Sequence, residues 1–383
     1  MKEILFIHPS ADMYGSDKIL INIIKNYNNS NNTLLIPRNG PLIETLQKEC
    51  PQLRIIIYPQ LPLIAKKNLK LKGIIKFVYS LFLFKRFLKK NRLNSPTIVY
   101  LNTLAVTPSL FYFKNSIKLV HVHEILKNNN VLHRFINYLA IQYSNHIICV
   151  SNAVANNLKQ IASSKAYKIT TIYNGISFNK ENISIPSSRI KSKSINFALI
   201  GRIKPAQKGQ ILLLEAISLL KQEYLEKARF YLIGGTVQGQ EYMLDEVIEE
   251  IKKKNLEQYV QIIPFTKDIE SIYQHIDVSI VPSLVDDSFP TTILESMYFK
   301  KPIIGTYIGG IPEIIESGKN GFTFTPNNAP ELSKHIAFFI QHPEKIGIMG
   351  KAGQDIFNEK FTLEIFNKNY THFISNLFKS QSI

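Results

Sequence analysis

The segment at 286–295, DDSFPTTILE, sets two carboxylates, Asp287 and Glu295, on either side of a Phe-Pro turn. The apolar run at 277–283, DVSIVPS, is typical of a buried strand, and TTILESM after the turn is typical of a helix start. The first N–H groups of a helix lack intrahelical partners and lie at the positive end of its dipole, so this position suits an anion. A phosphate there, with a carboxylate on sugar hydroxyls, fits a nucleotide-sugar.

A second candidate phosphate site lies at 198–217, ALIGRIKPAQKGQILLLEAI. A predicted strand ends at Gly201, Arg202 follows at once, and Lys208 precedes a predicted helix. Arginine can grip phosphate oxygens as a fork, while lysine adds a point charge. The pattern therefore predicts a diphosphate cradle, with two surface cations beside an ordinary turn as the alternative.

The segment KLVHVHEIL at 118–126 puts polar side chains at the end of a third predicted strand. His121 and His123 share one face, His123 is nearer the strand's end, and Glu124 could orient its imidazole. The alternative is a buried histidine bonded to the backbone. No third ligand stands nearby in the sequence, which disfavours zinc.

The segment HPSADMYGSDKIL at 8–20 follows the first predicted strand. Gly15 is expected in a strand-to-helix loop, where close approach of a ligand to the backbone requires a residue without Cβ. An ordinary tight turn, with Asp17 near the helix start, is the alternative.

The 286–295 segment resembles the carboxylate-x7-carboxylate signature of retaining glycosyltransferases with the GT-B fold, especially family 4 (glycosyltransferases group 1). The usual pattern has Glu and Phe-Gly where this chain has Asp287 and Phe289-Pro290. Asp shortens the reach by one methylene, and Pro removes an N–H and fixes φ. Four further segments resemble those of the family and follow in its order.

The resemblance implies a role for each candidate residue. The residues that it implies at the site are His123, Asp287, Arg202 and Lys208 as catalytic residues, and Gly15, Arg202, Lys208, Gly234, Phe265, Asp287, Pro290, Thr291, Thr292 and Glu295 as donor-binding residues. Arg202 and Lys208 would bind the diphosphate, and Glu295 would bind the ribose. The leaving phosphate would take the acceptor's proton. No Asp-x-Asp motif is present and two cations can replace a metal, so no metal or other cofactor is expected.

The implied activity is hexosyltransferase-like: a sugar passes from a nucleoside diphosphate sugar to an acceptor hydroxyl with retained anomeric configuration. A lipid-linked glycan of capsule or O-antigen synthesis is the expected acceptor. Two alternatives stay open. One is another GT-B enzyme, such as a sugar-nucleotide epimerase or a sugar-phosphate synthase. The other is a non-catalytic protein that binds nucleotide-sugars.

Apolar runs alternate with helical patterns in both halves of the 383-residue chain, which predicts doubly wound α/β domains with parallel sheets. With the resemblance, this predicts the GT-B fold: two Rossmann-like domains facing each other across a cleft. The N-terminal, acceptor-binding domain is predicted at 1–185, and the C-terminal, nucleotide-sugar-binding domain at 195–361. A polar linker is expected at 182–194, and a final helix at 362–383 would cross back onto the first domain.

The net charge of +17 lies entirely in the first half: positions 1–187 hold 24 Lys+Arg and 7 Asp+Glu, against 22 of each at 188–383. The segment at 66–92 has ten basic residues, no acidic one, and an apolar stretch inside. It predicts a basic amphipathic helix on an anionic membrane surface, with a core-facing helix as the alternative. Nucleic acid is not expected, because no binding motif accompanies the charge. The expected location is cytoplasmic, peripheral at the inner face of the cell membrane.

Overall fold

The computed structural model describes residues 3–27, 29–64, 71–178, 194–237, 239–266 and 268–379. The chain forms two compact units. The first consists of Met1–Asn174 and Phe366–Ile383, and the second is Gly175–Ile365. The predicted linker at 182–194 lies outside the described residues, except for its last position.

The first unit contains a seven-stranded parallel sheet with the order β3-β2-β1-β4-β5-β6-β7. Its strands are β1 (Ile4–Ile7), β2 (Thr33–Ile36), β3 (Arg54–Ile57), β4 (Ile98–Asn102), β5 (Ile117–Val122), β6 (His146–Cys149) and β7 (Ile169–Thr171). Central strands such as β1 and β4 are buried along their whole length, whereas the edge strand β3 is partly exposed. Burial on both faces explains why the central strands are continuously apolar in sequence.

Helices connect these strands and cover the sheet. They are α1 (Gly15–Asn26), α2 (Pro41–Glu49), α3 (Leu71–Lys90), α4 (Val131–Tyr143) and α5 (Asn152–Ala162), with 3-10 helices at Leu104–Tyr112 and Ser163–Lys168. Ser151 is the N-cap of α5, since its hydroxyl accepts a hydrogen bond from the N–H of Val154 at 3.3 Å.

The second unit contains a six-stranded parallel sheet with the order β10-β9-β8-β11-β12-β13. Its strands are β8 (Ile195–Ile200), β9 (Ala228–Ile233), β10 (Val260–Ile263), β11 (Val278–Val281), β12 (Ile303–Thr306) and β13 (Gly321–Phe324). The helices are α6 (Pro205–Lys208), α7 (Gln210–Ser218), α8 (Gln222–Leu225), α9 (Tyr242–Lys253), α10 (Ile269–His275), α11 (Thr291–Tyr298), α12 (Ala329–Gln341) and α13 (Glu344–Lys360), with a 3-10 turn at Ile311–Glu313. A buried core lies between α7, α9 and α12 and the sheet.

The predicted fold class is confirmed, because each unit is a doubly wound parallel α/β domain. Two strands, β7 and β13, lack the continuous apolar run that predicted the other strands, and the sequence analysis missed them. Each is only partly buried, and partial burial allows polar residues such as Thr170 and Thr323 within the strand.

The last helix, α14 (Leu363–Lys379), joins the first unit from Phe366 onward. Its Tyr370 is buried, and its ring lies 5.8 Å from the ring of Tyr27 on α1 and 6.5 Å from the ring of Tyr100 on β4. Aromatic pairs at these separations add to the stabilisation that burial provides. The C-terminal helix therefore completes the core on this side of the first sheet.

Replacement of Tyr370 by Ala should lower the stability of the first unit. Loss of a large buried aromatic side chain costs about 3–5 kcal/mol. The control is Tyr167→Ala, because Tyr167 is 78% exposed in the same unit and its loss should change little. Urea unfolding, followed by circular dichroism, measures both. Equal midpoints for the two variants would contradict this packing role.

Candidate functional site

Polar side chains follow three neighbouring strands of the first sheet where those strands end. His8 comes directly after β1, Asn102 is the last residue of β4, and His123 follows β5. Carboxyl ends of parallel strands meet at one edge of a sheet, which is where doubly wound proteins bind ligands. The structure therefore brings His123, a predicted site residue, together with His8 and Asn102, to which the sequence analysis gave no role.

A hydrogen-bonded chain joins these three side chains. The Asn102 amide nitrogen lies 2.9 Å from Nδ1 of His8, and the amide oxygen lies 2.8 Å from Nε2 of His123. Beyond His8, its Nε2 contacts the carboxylate of Asp17, which also accepts a 2.7 Å hydrogen bond from Ser10. We call the set His8–Asn102–His123 the strand-end relay.

The predicted position of Gly15 needs a correction. Gly15 is the first residue of α1 rather than a loop residue, because the N–H groups of Asp17 and Lys18 already bond to the carbonyl of Tyr14. Asp17 is fully buried, and its second oxygen accepts a 2.8 Å hydrogen bond from the N–H of Tyr14. Its carboxylate is thus a structural cap of α1 as well as a partner of His8.

Burial determines the charge of the groups around His123. Desolvation lowers the pKa of His123 well below its ordinary value, and the nearby His121 and His8 lower it further. The His121 pKa falls to about 3 by desolvation alone. The two rings lie 4.1 Å apart, and His121 also hydrogen-bonds to the hydroxyl of Tyr100. Both imidazoles are therefore neutral at physiological pH.

Glu124 anchors the backbone next to His123. Its carboxylate accepts hydrogen bonds from the N–H of Leu104 at 2.6 Å and from the N–H of His123 at 3.0 Å. Burial raises the pKa of Glu124 to about 7, although these backbone bonds act in the opposite direction. Glu124 therefore holds the backbone of His123 through the His123 N–H.

In the second unit, the predicted site residues Lys208 and Asp287 form an ion pair. The Lys208 ammonium lies 2.6 Å from a carboxylate oxygen of Asp287, and both side chains are partly buried. The loop of Lys208 is tied to the end of β11 by a 2.9 Å bond from the N–H of Leu284 to the carbonyl of Gln207. The structure thus joins the two segments from which the sequence predicted phosphate and sugar binding.

Cations cluster in the loop after β8. Arg202 is exposed, and its carbonyl accepts a 2.9 Å hydrogen bond from the buried side chain of Gln210. The pKa of Lys204 is lowered by partial burial and by the charges of Arg202 and Lys208. Lys204 is therefore a third cation near the predicted cradle, and the sequence analysis assigned it no role.

The N-terminus of α11 follows Asp287 in the chain. Pro290 is its N-cap residue, and Thr291 and Thr292 are its first two residues, so their N–H groups have no intrahelical partner. Glu295 lies one turn further on and is buried. The hydroxyl of Tyr273 lies 3.4 Å from the Glu295 carboxylate and 3.2 Å from the carbonyl of Thr292. Tyr273, a residue that sequence reasoning missed, fixes this turn.

Two glycines allow the strand-end loops to meet. Gly309 has φ +58°, and a Cβ there would lie 2.2 Å from the carbonyl oxygen of Asp287, whose carbonyl also accepts a 2.8 Å bond from the N–H of Gly310. A Cβ on Gly234 would lie 1.9 Å from the carbonyl oxygen of Gly201. Gly234 thus brings the loop after β9 against the loop that carries Arg202. By contrast, Phe265, which follows β10, has a side chain that is 70% exposed.

Within the described ranges, no three His, Cys, Asp or Glu side chains converge as a metal site would require. His123 and His8 are hydrogen-bonded to Asn102 and Asp17, and His121 to Tyr100.

Two family models match consecutive parts of the chain. The model of "Glycosyltransferase Family 4" matches residues 42–180, and that of "Glycosyl transferases group 1" matches residues 180–355. Together they span both units. The chain belongs to the glycosyltransferases of the GT-B type.

Individual relatives are glycosyltransferases by name. An uncharacterised glycosyltransferase of Methanocaldococcus jannaschii is 28% identical over 66% of this chain and 67% of its own length. The N,N'-diacetylbacillosaminyl-diphospho-undecaprenol alpha-1,3-N-acetylgalactosaminyltransferase of Campylobacter jejuni is 24% identical over 69% of this glycosyltransferase and 64% of its own length. The crystal structure of HepE from Anabaena, in complex with UDP and glucose, superposes with a TM-score of 0.78 and 20% identity, covering 98% of this chain and 100% of that one. At 20% identity, the likeness to HepE shows the fold alone.

The raised pKa of Glu124 predicts a pH dependence of stability. Its ordinary value is 4.5 and its folded value about 7, so the folded chain binds the proton more tightly. The stabilisation is complete below about pH 4.5 and is lost as the pH rises through about 7. Between pH 5 and pH 8 the wild-type protein should therefore lose roughly 1–3 kcal/mol more than Glu124→Gln does.

Urea unfolding at the two pH values tests this prediction. Glu223→Gln is the control, because the Glu223 side chain is exposed and should leave the wild-type pH dependence unchanged. A Glu124→Gln variant with the full wild-type loss would show that Glu124 ionises in the folded protein as it does in water.

Proposed function

We propose that this protein is a retaining, metal-independent glycosyltransferase that uses a nucleoside diphosphate sugar. The observation that carries the proposal is the Lys208–Asp287 ion pair beside Arg202 and Lys204. It combines cations for a diphosphate with a carboxylate for sugar hydroxyls in one place. The uncapped N–H group of Thr291 and the buried Glu295 follow Asp287 in the chain, in the first turns of α11.

The cations would act on the leaving group. As the bond from the sugar's anomeric carbon to the phosphate oxygen breaks, negative charge grows on the diphosphate, and Arg202 and Lys208 would stabilise it. Donors that are already oriented need no reorganisation, so each contributes roughly 3–4 kcal/mol to lowering the barrier. Lys208 would pass from Asp287 to the phosphate when the donor binds. Asp287 would then bind sugar hydroxyls.

The anomeric configuration is retained if the acceptor attacks the face of the anomeric carbon from which the diphosphate departs. The acceptor oxygen forms the new bond to the anomeric carbon, and its proton moves to the departing phosphate oxygen. No side chain has to act as general base. His123, which is neutral, would hold a sugar hydroxyl, and Glu295 would hold the ribose.

Replacement of Lys208 by Ala should lower the kcat of sugar transfer about 100-fold or more, the usual effect of losing one oriented donor. The control is Lys221→Ala, which removes a lysine that is 74% exposed in the same unit. Transfer from UDP- or GDP-sugars is measured by mass spectrometry, and NMR of the product determines the anomeric configuration. Near-normal transfer by folded Lys208→Ala, or an inverted product, would contradict the mechanism.

We also propose that the acceptor is a glycan on a lipid diphosphate in bacterial surface polysaccharide synthesis, at the cytoplasmic face of the membrane. The name of the Campylobacter relative, which includes diphospho-undecaprenol, supports this class. So does α3, whose outer face exposes large apolar side chains: Ile74, Ile75, Val78, Tyr79 and Phe82. Further along this face are Lys85, Arg86, Lys89 and Lys90, all exposed. No helix among the described residues is long and apolar enough to span a bilayer.

A second exposed stripe lies on α4, where Val131, Phe135 and Tyr138 recur at helical spacing. The 3-10 helix at Leu104–Tyr112 connects α3 with α4. The Tyr112 hydroxyl donates a 2.8 Å hydrogen bond to a carbonyl of α3, and the ring of Phe111 lies 4.6 Å from that of Tyr143 on α4. The two stripes are thus parts of one side of the first unit, which an anionic bilayer would cover.

The double variant Lys85→Glu/Lys89→Glu should bind anionic vesicles at least about 30-fold more weakly, because each lysine lost near such a surface removes about 1 kcal/mol and the two glutamates add repulsion. Flotation with phosphatidylcholine vesicles, with and without phosphatidylglycerol, measures the binding. Lys345→Glu/Lys351→Glu on α13 is the control with the same charge change. Equal flotation of both variants, or equal binding to neutral vesicles, would contradict membrane docking through α3.

A further inference from the structure

The amide of Asn102 has one possible orientation in the strand-end relay. Its nitrogen lies 3.2 Å from the carbonyl oxygen of Ser16, and a carbonyl can only accept a hydrogen bond. The NH2 group must therefore face Ser16 and His8, and the amide oxygen must face His123. An amide oxygen only accepts, so Nε2 of His123 carries a hydrogen and donates it at 2.8 Å.

The other end of the relay agrees with this orientation. The Asn102 NH2 group donates to Nδ1 of His8, so the hydrogen of the His8 ring is on Nε2, where it is donated to Asp17. Burial disfavours the Asp17 carboxylate, but hydrogen bonds from His8, Ser10 and Tyr14 outweigh burial and lower its pKa. The hydrogen bonds from His123 to Asn102, from Asn102 to His8 and from His8 to Asp17 thus all run toward one buried anion, and such chains polarise each other.

We propose that Asn102 is a positioning residue that fixes the Nε2–H tautomer of His123, so that Nδ1 of His123 contacts its ligand only as a hydrogen-bond acceptor. In the proposed glycosyltransferase, on which this inference rests for the ligand's identity, the partner is a sugar hydroxyl. A hydroxyl can donate to Nδ1, whereas a phosphate oxygen without a proton cannot. The relay thereby favours the sugar over the diphosphate at His123.

The groups around His123 keep its ring neutral. The titratable groups that face it or its backbone are His121 on β5, His8 after β1, Asp17 on α1 and Glu124 beyond β5. Asp17 alone favours a charged ring, and desolvation with the two histidines outweighs it. A neutral ring with Nε2 committed to Asn102 has no hydrogen on Nδ1.

Nitrogen NMR of the full chain, labelled with 15N-histidine, tests the tautomer without donor or acceptor. The resonances of His123 are assigned by their absence from His123→Gln. At pH 7 we expect one protonated nitrogen, Nε2, and one unprotonated nitrogen, Nδ1. A protonated Nδ1 in the wild-type protein would overturn the proposal, whether or not the protein transfers sugar.

Asn102→Asp changes the relay with almost no change in shape. The carboxylate cannot donate to His8 or Ser16, and its charge favours a protonated His123 ring, which should raise the pKa of His123. Both nitrogens of His123 should then be protonated to a higher pH than in the wild-type protein. Unchanged His123 resonances in folded Asn102→Asp would overturn the proposal. If this variant does not fold, the wild-type spectrum decides alone.

Steady-state kinetics adds a readout that a purely structural role of Asn102 would not change. In Asn102→Asp, kcat should fall about tenfold at a pH one unit below the new pKa of His123 and recover as the pH rises. The KM for the donor should change less. Asn94→Asp, an exposed position with the same charge change, should keep the wild-type pH profile. A uniform loss at every pH would show that Asn102 only supports the fold.

Discussion

In a parallel sheet that is covered on both faces, polar chemistry can be placed at the carboxyl ends of the strands, and the rest of this structure depends on that constraint. The interiors of β1 and β4 are wholly apolar because helices bury them on both sides. Polar side chains therefore appear where the strands end, as with His8 and Asn102. In the second unit the same constraint puts the cations after β8 and the carboxylate of Asp287 after β11.

The carboxyl ends of the strands differ in charge between the two units. In the first unit, burial keeps His121 and His123 neutral, and the relay ends on the single carboxylate of Asp17. In the second unit, Arg202, Lys204 and Lys208 follow β8, and Asp287 is a counterion of Lys208. Neutral side chains at the strand ends suit hydroxyl groups, and cationic side chains there suit phosphates. A nucleoside diphosphate sugar has both.

The sequence predicted the fold well, because continuous apolar runs are local signals. It missed β7 and β13, since these strands are only partly buried and contain polar residues such as Thr170 and Thr323. Arg202, Lys208 and Asp287 were predicted as site residues because charged residues beside turns are conspicuous, and the structure pairs Lys208 with Asp287. Asn102 and Tyr273 were missed, since their importance comes from partners 21 and 22 positions away. A polar residue that ends a buried strand, such as His8 in ILFIH, was a signal that could have been used.

Thermal unfolding with UDP-, GDP-, ADP- and dTDP-sugars, in the absence of metal, tests the central claim that the second unit binds a nucleotide-sugar through its cations. A ligand at 100 times its dissociation constant adds about 2.7 kcal/mol of stability, which raises Tm measurably. We predict that one nucleotide class raises the Tm of the wild-type protein and that Lys208→Ala loses most of this rise. No rise with any nucleotide, or an undiminished rise in Lys208→Ala, would contradict the account.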